Sequence, residues 1–181
     1  VAVRGLFNVK ALRRLYDLNR SEFLIAMAAF AGVLLFGMLD GVLIGAALSI
    51  LILVWRTSRP NSVLLGRVPG SNSYGDIARH PENETIPDVL LYRVDGQLFY
   101  ANAGEVRDAL QGVIAAQPSP PKLVVLDLSA TPFIDLPTAE MLAELGKELA
   151  EEGTPLRLAN VEGPVRDLLR RAEPELPFGE L

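Results

Sequence analysis

The residues best placed for chemistry form one short group, Asp135, Leu136, Pro137 and Thr138. This carboxylate and this hydroxyl stand between an apolar run at 123–128 and a helical pattern that begins at Leu136. The order predicts a loop at the carboxyl end of a strand and the amino end of a helix, where free amides favour anions or acidic partner groups. A threonine that opens a helix also commonly caps its first turn, so binding and capping are both open interpretations.

Other residue types that support catalysis or metal binding are scarce. The chain has no cysteine, which excludes disulfides, thiolate nucleophiles and cysteine-ligated zinc, and its single histidine, His80, cannot form a histidine cluster. No glycine-rich phosphate loop or nucleophile elbow is present, and Glu151 with Glu152 is best explained as a solvated helix face. We therefore predict a protein that is not an enzyme and has no cofactor or metal site.

Charge is distributed unevenly along the chain. Residues 88–181 carry eight basic and sixteen acidic residues, and this balance argues against a nucleic-acid partner, which needs a clustered basic face. Residues 1–21 carry five basic residues and one aspartate, next to a long apolar segment. Positive residues in that position mark the cytoplasmic side of a membrane, and the first segment is predicted to be an amphipathic helix at its surface.

The apolar segment is too long for one membrane crossing. Between Phe23 and Trp55 the only charged residue is Asp40. As a single helix, residues 22–55 would extend about 50 Å, against roughly 30 Å for the hydrocarbon core. A break at 37–41 instead predicts a transmembrane hairpin with both ends cytoplasmic and Asp40 at the far turn. A functional ionisable group within the membrane is the alternative interpretation of Asp40.

After residue 88 the pattern alternates between strand and helix, which predicts a small α/β domain. The predicted strands cover residues 89–93, 98–101, 123–128 and 156–159, and the predicted helices cover 104–116, 136–151 and 164–172. The predicted organisation is a basic segment at 1–21, a transmembrane helical hairpin at 22–57, a linker at 58–87 with one docking strand near 63–65, and the α/β domain at 88–181.

Two stretches of sequence carry a family resemblance. FIDLPTAEML at 133–142, preceded by LVVLDLSATP at 123–132, resembles the STAS domain, named for sulfate transporters and anti-sigma-factor antagonists. The stretch RPNSVLLGRVPGSNSYGDIARHPENE at 59–84, leading on to VLLYRVDGQLFYANAGEVRDAL at 89–110, is similar to the junction and first strands of bacterial sulfate permease proteins. The resemblance implies a membrane helical hairpin followed by a STAS-like α/β domain with a small mixed sheet.

The same resemblance implies a function. Sulfate permease proteins are secondary-active, multi-pass anion transporters of the cell (inner) membrane, commonly homodimeric, with a cytoplasmic STAS domain for regulation, assembly or partner binding. Their substrate pocket is built by helices earlier in the chain, so no substrate-binding residue is expected here. The expected partners are the lipid bilayer, upstream transporter helices, a second copy and a cytoplasmic regulatory protein.

The resemblance also assigns the loop at 135–138 as a regulatory, partner-binding site. Anti-sigma antagonists have a D-S-[ST]-G pattern there, whose hydroxyl is phosphorylated. In this sequence Asp135 matches, Pro137 occupies the phosphoacceptor position, and no glycine follows Thr138. The departure weakens the alternative function, a membrane-anchored STAS signalling module of the anti-sigma-antagonist type.

Overall fold

The computed structural model describes residues 9–58 and 61–172 and divides the chain into two compact units after Thr57. The first unit contains three helices, α1 (Val9–Leu18), α2 (Arg20–Phe36) and α3 (Met38–Thr57). The second unit contains strands β1 (Asn61–Arg67), β2 (Tyr74–Asp76), β3 (Val89–Asp95), β4 (Leu123–Asp127) and β5 (Leu156–Ala159), with helices α4 (Tyr100–Ala115), α5 (Leu136–Glu151) and α6 (Gly163–Ala172).

A single glycine separates the two apolar helices α2 and α3. Gly37 has a φ of +100°, a backbone conformation that residues with a Cβ rarely adopt. Its N–H donates to the carbonyl of Val33 at 3.1 Å, and its carbonyl accepts from the N–H of Gly41 at 3.0 Å. The break that the sequence places within 37–41 therefore occurs at the first of these residues, and Gly41 lies inside α3.

Glycines also allow α2 and α3 to approach closely as an antiparallel pair. A Cβ built on Gly41 would lie 2.3 Å from the backbone nitrogen of Val33, and one built on Gly45 would lie 2.8 Å from the Cβ of Ala29. A Cβ on Gly32 would lie 3.1 Å from the Cα of Gly41. These small residues therefore permit close packing between the two helices of the hairpin itself.

The outer surface of this pair is apolar. Among the described residues, α3 is the one helix that is long and apolar enough to cross a bilayer, over Met38–Trp55, and α2 is shorter at 17 residues. At about 1.5 Å per residue, α3 extends about 30 Å, which is the thickness of a hydrocarbon core. Its exposed side chains include Met38, Leu39, Val42, Leu43, Ile50, Leu51, Leu53, Val54 and Trp55.

The second unit is built on a mixed five-stranded sheet with the order β2-β1-β3-β4-β5. β1 pairs antiparallel with both β2 and β3, whereas β3, β4 and β5 run parallel to one another. Parallel neighbours need a crossover connection, and α4 and α5 supply those connections. The carboxyl ends of β3 and β4 therefore lie at one edge of the sheet, next to the amino ends of α4 and α5.

One face of the sheet carries the core. Leu90, Tyr92 and Val94 alternate with half-exposed neighbours in β3, as do Val124 and Leu126 in β4. The run at 123–128 is therefore fully buried on one face and partly buried on the other. The helix residues that complete the core include Val106, Leu110, Leu142, Leu145, Leu149, Val165 and Leu169, all of which the helical spacing predicts to face inward.

Part of the expected linker is sheet. Within 58–87, β1 pairs with β3 from Asn61 opposite Asp95 to Leu65 opposite Leu91, and β2 forms the far edge beside β1. Gly66 lies in close contact with the following loop, because a Cβ there would be 2.9 Å from Cγ1 of Ile77. Proline, glycine and serine are frequent both in flexible linkers and in turns between short strands, so composition does not separate the two.

The strand expected at 98–101 is wrong. Leu98 forms only an isolated parallel bridge with Ile134, and α4 begins at Tyr100, earlier than the expected start at 104. The reason is Asn102, whose Oδ1 accepts from the N–H of Phe99 at 2.9 Å and whose Nδ2 donates to the carbonyl of Gln97 at 2.9 Å. This buried amide fixes the chain as the start of a helix, and side-chain capping of this kind outweighs the strand preference of a short apolar run.

Candidate partner-binding site

Asp135 connects the amino ends of two helices. It precedes α5 in an extended conformation, and its Oδ1 accepts from the backbone N–H of Thr138 at 3.1 Å, so that it caps α5. Its Oδ2 accepts from the backbone N–H of Tyr100, the first residue of α4, at 2.9 Å. One carboxylate therefore satisfies free amides at the starts of both α4 and α5.

These contacts stabilise the ionised form of Asp135. Burial raises the pKa of the carboxyl group, but hydrogen bonds from the Thr138 hydroxyl and from the backbone N–H groups of Tyr100 and Thr138 together outweigh burial. The pKa of Asp135 is consequently held below its ordinary value. The carboxylate is a fixed negative charge that is already occupied by donors from this chain, and it is not an empty acceptor waiting for a ligand.

Thr138 is a capping partner. Its side chain is fully buried, and its hydroxyl donates to Oδ1 of Asp135 at 2.5 Å. Pro137 lies exposed within the first turn of α5 and has no hydroxyl. Within the four residues that the sequence singles out, the geometry thus offers no exposed hydroxyl for phosphorylation.

An exposed apolar surface surrounds this double cap. We define the exposed patch as Tyr100, Phe133, Leu136 and Pro137, of which Tyr100 is 75% exposed, Phe133 53% and Leu136 49%. The patch residues come from both helix starts. The backbone N–H of Tyr100, at the start of α4, donates to Asp135, and Leu136 is the first residue of α5. The carbonyl of Phe133 accepts from the N–H of Leu98. Large exposed apolar side chains grouped in this way make this surface a candidate partner-binding site.

The sequence identifies half of this patch. Leu136 and Pro137 belong to the predicted loop, whereas Tyr100 and Phe133 do not. The sequence could have indicated Phe133, because it lies close to Asp135 in the loop between a strand and a helix. It could not indicate Tyr100 without the knowledge that α4 starts at that residue. Residues 35 positions apart meet because the parallel crossover returns both helices to the same edge of the sheet.

Acidic side chains border the patch along α5. Glu140 and Glu144 line an open concavity of about 450 Å³ together with Pro137, Met141 and Lys147. One turn further along, Glu148 forms a two-oxygen ion pair with Arg107 of α4, with both Nη2-to-oxygen distances at 2.7 Å. Arg107 thereby joins the two helices below their shared cap.

The remaining candidates, His80 and Asp40, have surroundings of their own. His80 is exposed, with its Nδ1 3.0 Å from Oε1 of Glu82, and the described part of the chain holds no group of three metal-binding side chains. Asp40 is exposed in the first turn of α3, three residues after Gly37. That placement fits the interpretation of Asp40 as a residue of the helix turn, where an acidic group is favoured by the amino end of a helix.

Comparison with known proteins supports the resemblance seen in the sequence. The STAS domain family model matches residues 80–175. A probable sulfate transporter of Mycobacterium tuberculosis is 35% identical over 171 residues, which cover 94% of this chain and 30% of that relative. Sulfate transporter 3.1 of Arabidopsis thaliana is 28% identical over 180 residues, which cover 95% of this chain and 27% of that relative. The chain spans less than a third of the length of these relatives.

A solved structure has the same fold. The murine Solute Carrier 26 family member A9 anion transporter, in its inward-facing state, matches with a TM-score of 0.78 at 21% identity, over 88% of this chain and 26% of that chain. At this level of identity the likeness shows the fold alone. It confirms the predicted fold class, helices followed by a STAS-like α/β domain with a mixed sheet.

Proposed function

Because this chain belongs to the sulfate permease family of STAS-domain proteins, we propose that it is part of a secondary-active, sulfate-type anion transporter. In this proposal the helical unit completes the membrane domain, and the STAS unit lies in the cytoplasm and regulates transport through a partner contact. The names of the relatives support transport of an anion, and sulfate is the anion that they name. No catalytic role is proposed.

The exposed surface of the helical unit supports its place in the membrane. Apolar side chains of α3 that no part of the unit covers would be unfavourable in water and favourable in lipid or against other membrane helices. The antiparallel pairing of α2 with α3 puts Arg20 and Thr57 at the same end, away from Gly37. Exposed Arg13, Arg14 and Arg20 at that end support a cytoplasmic location for both ends of a multi-pass inner-membrane segment.

The regulatory part of the proposal rests on one observation, which is that Asp135 caps both α4 and α5 beneath the exposed patch. The cap fixes the starts of α4 and α5 relative to each other, so the patch is presented on a rigid support. A rigid apolar surface with acidic residues beside it suits recognition of a protein, because its apolar centre contributes binding energy and its charged rim selects the partner. We propose that this patch contacts either a cytoplasmic regulatory protein or another part of the transporter, which is expected to assemble as a homodimer.

The test uses the complete transporter that contains this chain. Sulfate uptake, membrane level and oligomeric state are measured for the native protein, for Tyr100→Ser with Leu136→Ser, and for the matched control Tyr74→Ser. Tyr74 is 46% exposed in β2, so the control removes an exposed aromatic ring from the same unit without touching the patch. The proposal expects uptake or assembly to change in the patch variant alone.

Removal of the whole STAS unit gives a second readout. The truncation belongs after Thr57, since a cut at residue 88 would leave β1 without its partner strand β3. If both the truncation and the patch variant leave uptake, membrane level and oligomeric state unchanged, the regulatory proposal is wrong.

A further inference from the structure

We infer that the junction between α1 and α2 binds the anionic headgroups of phospholipids and selects them over zwitterionic lipids. The inference rests on the proposed insertion of the hairpin in a membrane. It concerns a surface that we call the basic junction, defined by Arg13, Arg14 and Arg20, which are all exposed.

The described charged residues of α1 share one side of the helix. Arg13, Arg14 and Asp17 stand at the i, i+1, i+4 spacing, and all three are exposed. Leu15 and Tyr16 lie on the other side, and Leu15 is partly buried. A helix with this division lies flat at a membrane surface, with its charged face at the level of the headgroups.

Arg20 adds a third cation at the start of α2. Its guanidinium carbon lies 5.6 Å from the centre of the Tyr16 ring, a cation–π arrangement, and Tyr16 in turn packs edge-on against Phe23 at 5.1 Å. The nearby carboxylate of Glu22 accepts from Nδ2 of Asn19 at 2.7 Å, so it is oriented toward the helix cap. Arg20 is therefore held in place while its charge stays accessible.

The basic junction adjoins an apolar concavity at the end of the hairpin. This concavity has a volume of about 450 Å³, and its lining includes Leu18, Ile25, Ile52, Leu53 and Trp55. Its polar lining consists of Asn19, Ser21, Glu22 and Ser49, and Asn19 and Ser21 are the two neighbours of Arg20 in sequence. Apolar walls beside cations suit a phospholipid, whose acyl chain and phosphate are joined in one molecule, better than they suit free phosphate. Tryptophan is also favoured at this interface depth.

Trp55 provides the measurement because it is the only tryptophan of the chain. The full chain is reconstituted into vesicles that contain equal amounts of phosphatidylglycerol and phosphatidylcholine, with bromine on the acyl chains of one lipid or the other. We expect brominated phosphatidylglycerol to quench Trp55 more strongly. Each arginine that contacts an anionic headgroup should raise the relative affinity about fivefold. Molar salt should reduce the preference, whereas excess inorganic phosphate at constant ionic strength should not.

Two variants that lose the same positive charge distinguish lipid binding at the basic junction from a general effect of net charge. Arg13→Gln with Arg14→Gln should bring the relative affinity for phosphatidylglycerol toward one. Arg170→Gln with Arg171→Gln removes an equally adjacent, exposed pair from α6 and should leave the preference intact. Equal loss in both variants, no loss in the first, or equal quenching by the two lipids in the native chain would each overturn the inference. Failure of both brominated lipids to quench Trp55 would instead contradict membrane insertion itself, and with it the proposed function.

Discussion

Asp135 accepts the backbone N–H of Tyr100 at 2.9 Å, and these two residues lie 35 positions apart in sequence. The same carboxylate caps α5 through the N–H of Thr138. Two helices that pack on one face of the sheet therefore share a single capping side chain, and the exposed patch is built around it.

Loss of this carboxylate should destabilise the STAS unit. Asp135→Ala removes a helix cap and the acceptor of a second helix, and we expect a loss of about 2 kcal/mol in the free energy of unfolding. The measurement is denaturant unfolding of the detergent-solubilised chain, followed by circular dichroism. Glu140→Ala, an exposed acidic residue in the same helix, is the control and should change stability by less than about 0.5 kcal/mol.

The contribution of Asp135 to the free energy of unfolding should decrease as the pH falls. Because the pKa of the carboxyl group in the folded chain lies below its ordinary value, the ionised group stabilises the fold at every pH above the unfolded pKa of about 3.9. That stabilisation is lost as the pH falls through the lower, folded-state pKa. The stability difference between the native chain and Asp135→Asn should thus be constant near neutral pH and shrink at pH values below about 4. A difference that grows on acidification would contradict the assignment.

Thr138→Val tests the buried hydroxyl separately from its packing. Valine has nearly the same shape but cannot donate to Asp135, so we expect a loss of about 1 kcal/mol. The pKa of Asp135 should also rise toward its ordinary value, because one of the hydrogen bonds that lower it is removed. Carbon-detected NMR titration of the Asp135 carboxyl group in both chains measures this change. An unchanged pKa would show that the hydroxyl does not stabilise the carboxylate.

Gly41→Ala should disrupt the helical pair. The new Cβ would lie 2.3 Å from the backbone nitrogen of Val33, and backbone atoms in a packed helix cannot move aside cheaply. We expect a loss of about 3 kcal/mol or separation of α2 from α3, seen as a lower midpoint of thermal unfolding in detergent followed by Trp55 fluorescence. Gly112→Ala is the matched control in α4, where a Cβ meets nothing within 4 Å. It should stabilise its helix by up to about 1 kcal/mol.

The sequence predicts a helix correctly where a strong apolar periodicity ends at a residue that stops helices. Residues 136–151 are predicted to form a helix and do so, since apolar spacing, an acidic N-cap and a glycine after the end all agree. The same holds for the break between the apolar helices, because only glycine adopts the backbone conformation of Gly37 readily.

The errors have two sources, a local side-chain cap and contacts between residues that are distant in sequence. Tyr100 belongs to a short apolar run that resembles a strand, and its helical start depends on the buried amide of Asn102. The docking strand that the sequence predicts near 63–65 extends over Asn61–Arg67, and its longer extent depends on pairing with β3. The sequence predicts only half of the exposed patch, because the patch joins residues from two crossover connections that are distant in sequence.

The shared cap also has a consequence for biosynthesis. A ribosome that adds roughly 5–20 residues per second makes Tyr100 several seconds before Asp135, given the separation of 35 residues. Until then the starting amide of α4 lacks this acceptor, so the shared cap can form only after Asp135 has been synthesised. A nascent chain that ends between these two residues therefore contains the start of α4 without its capping carboxylate.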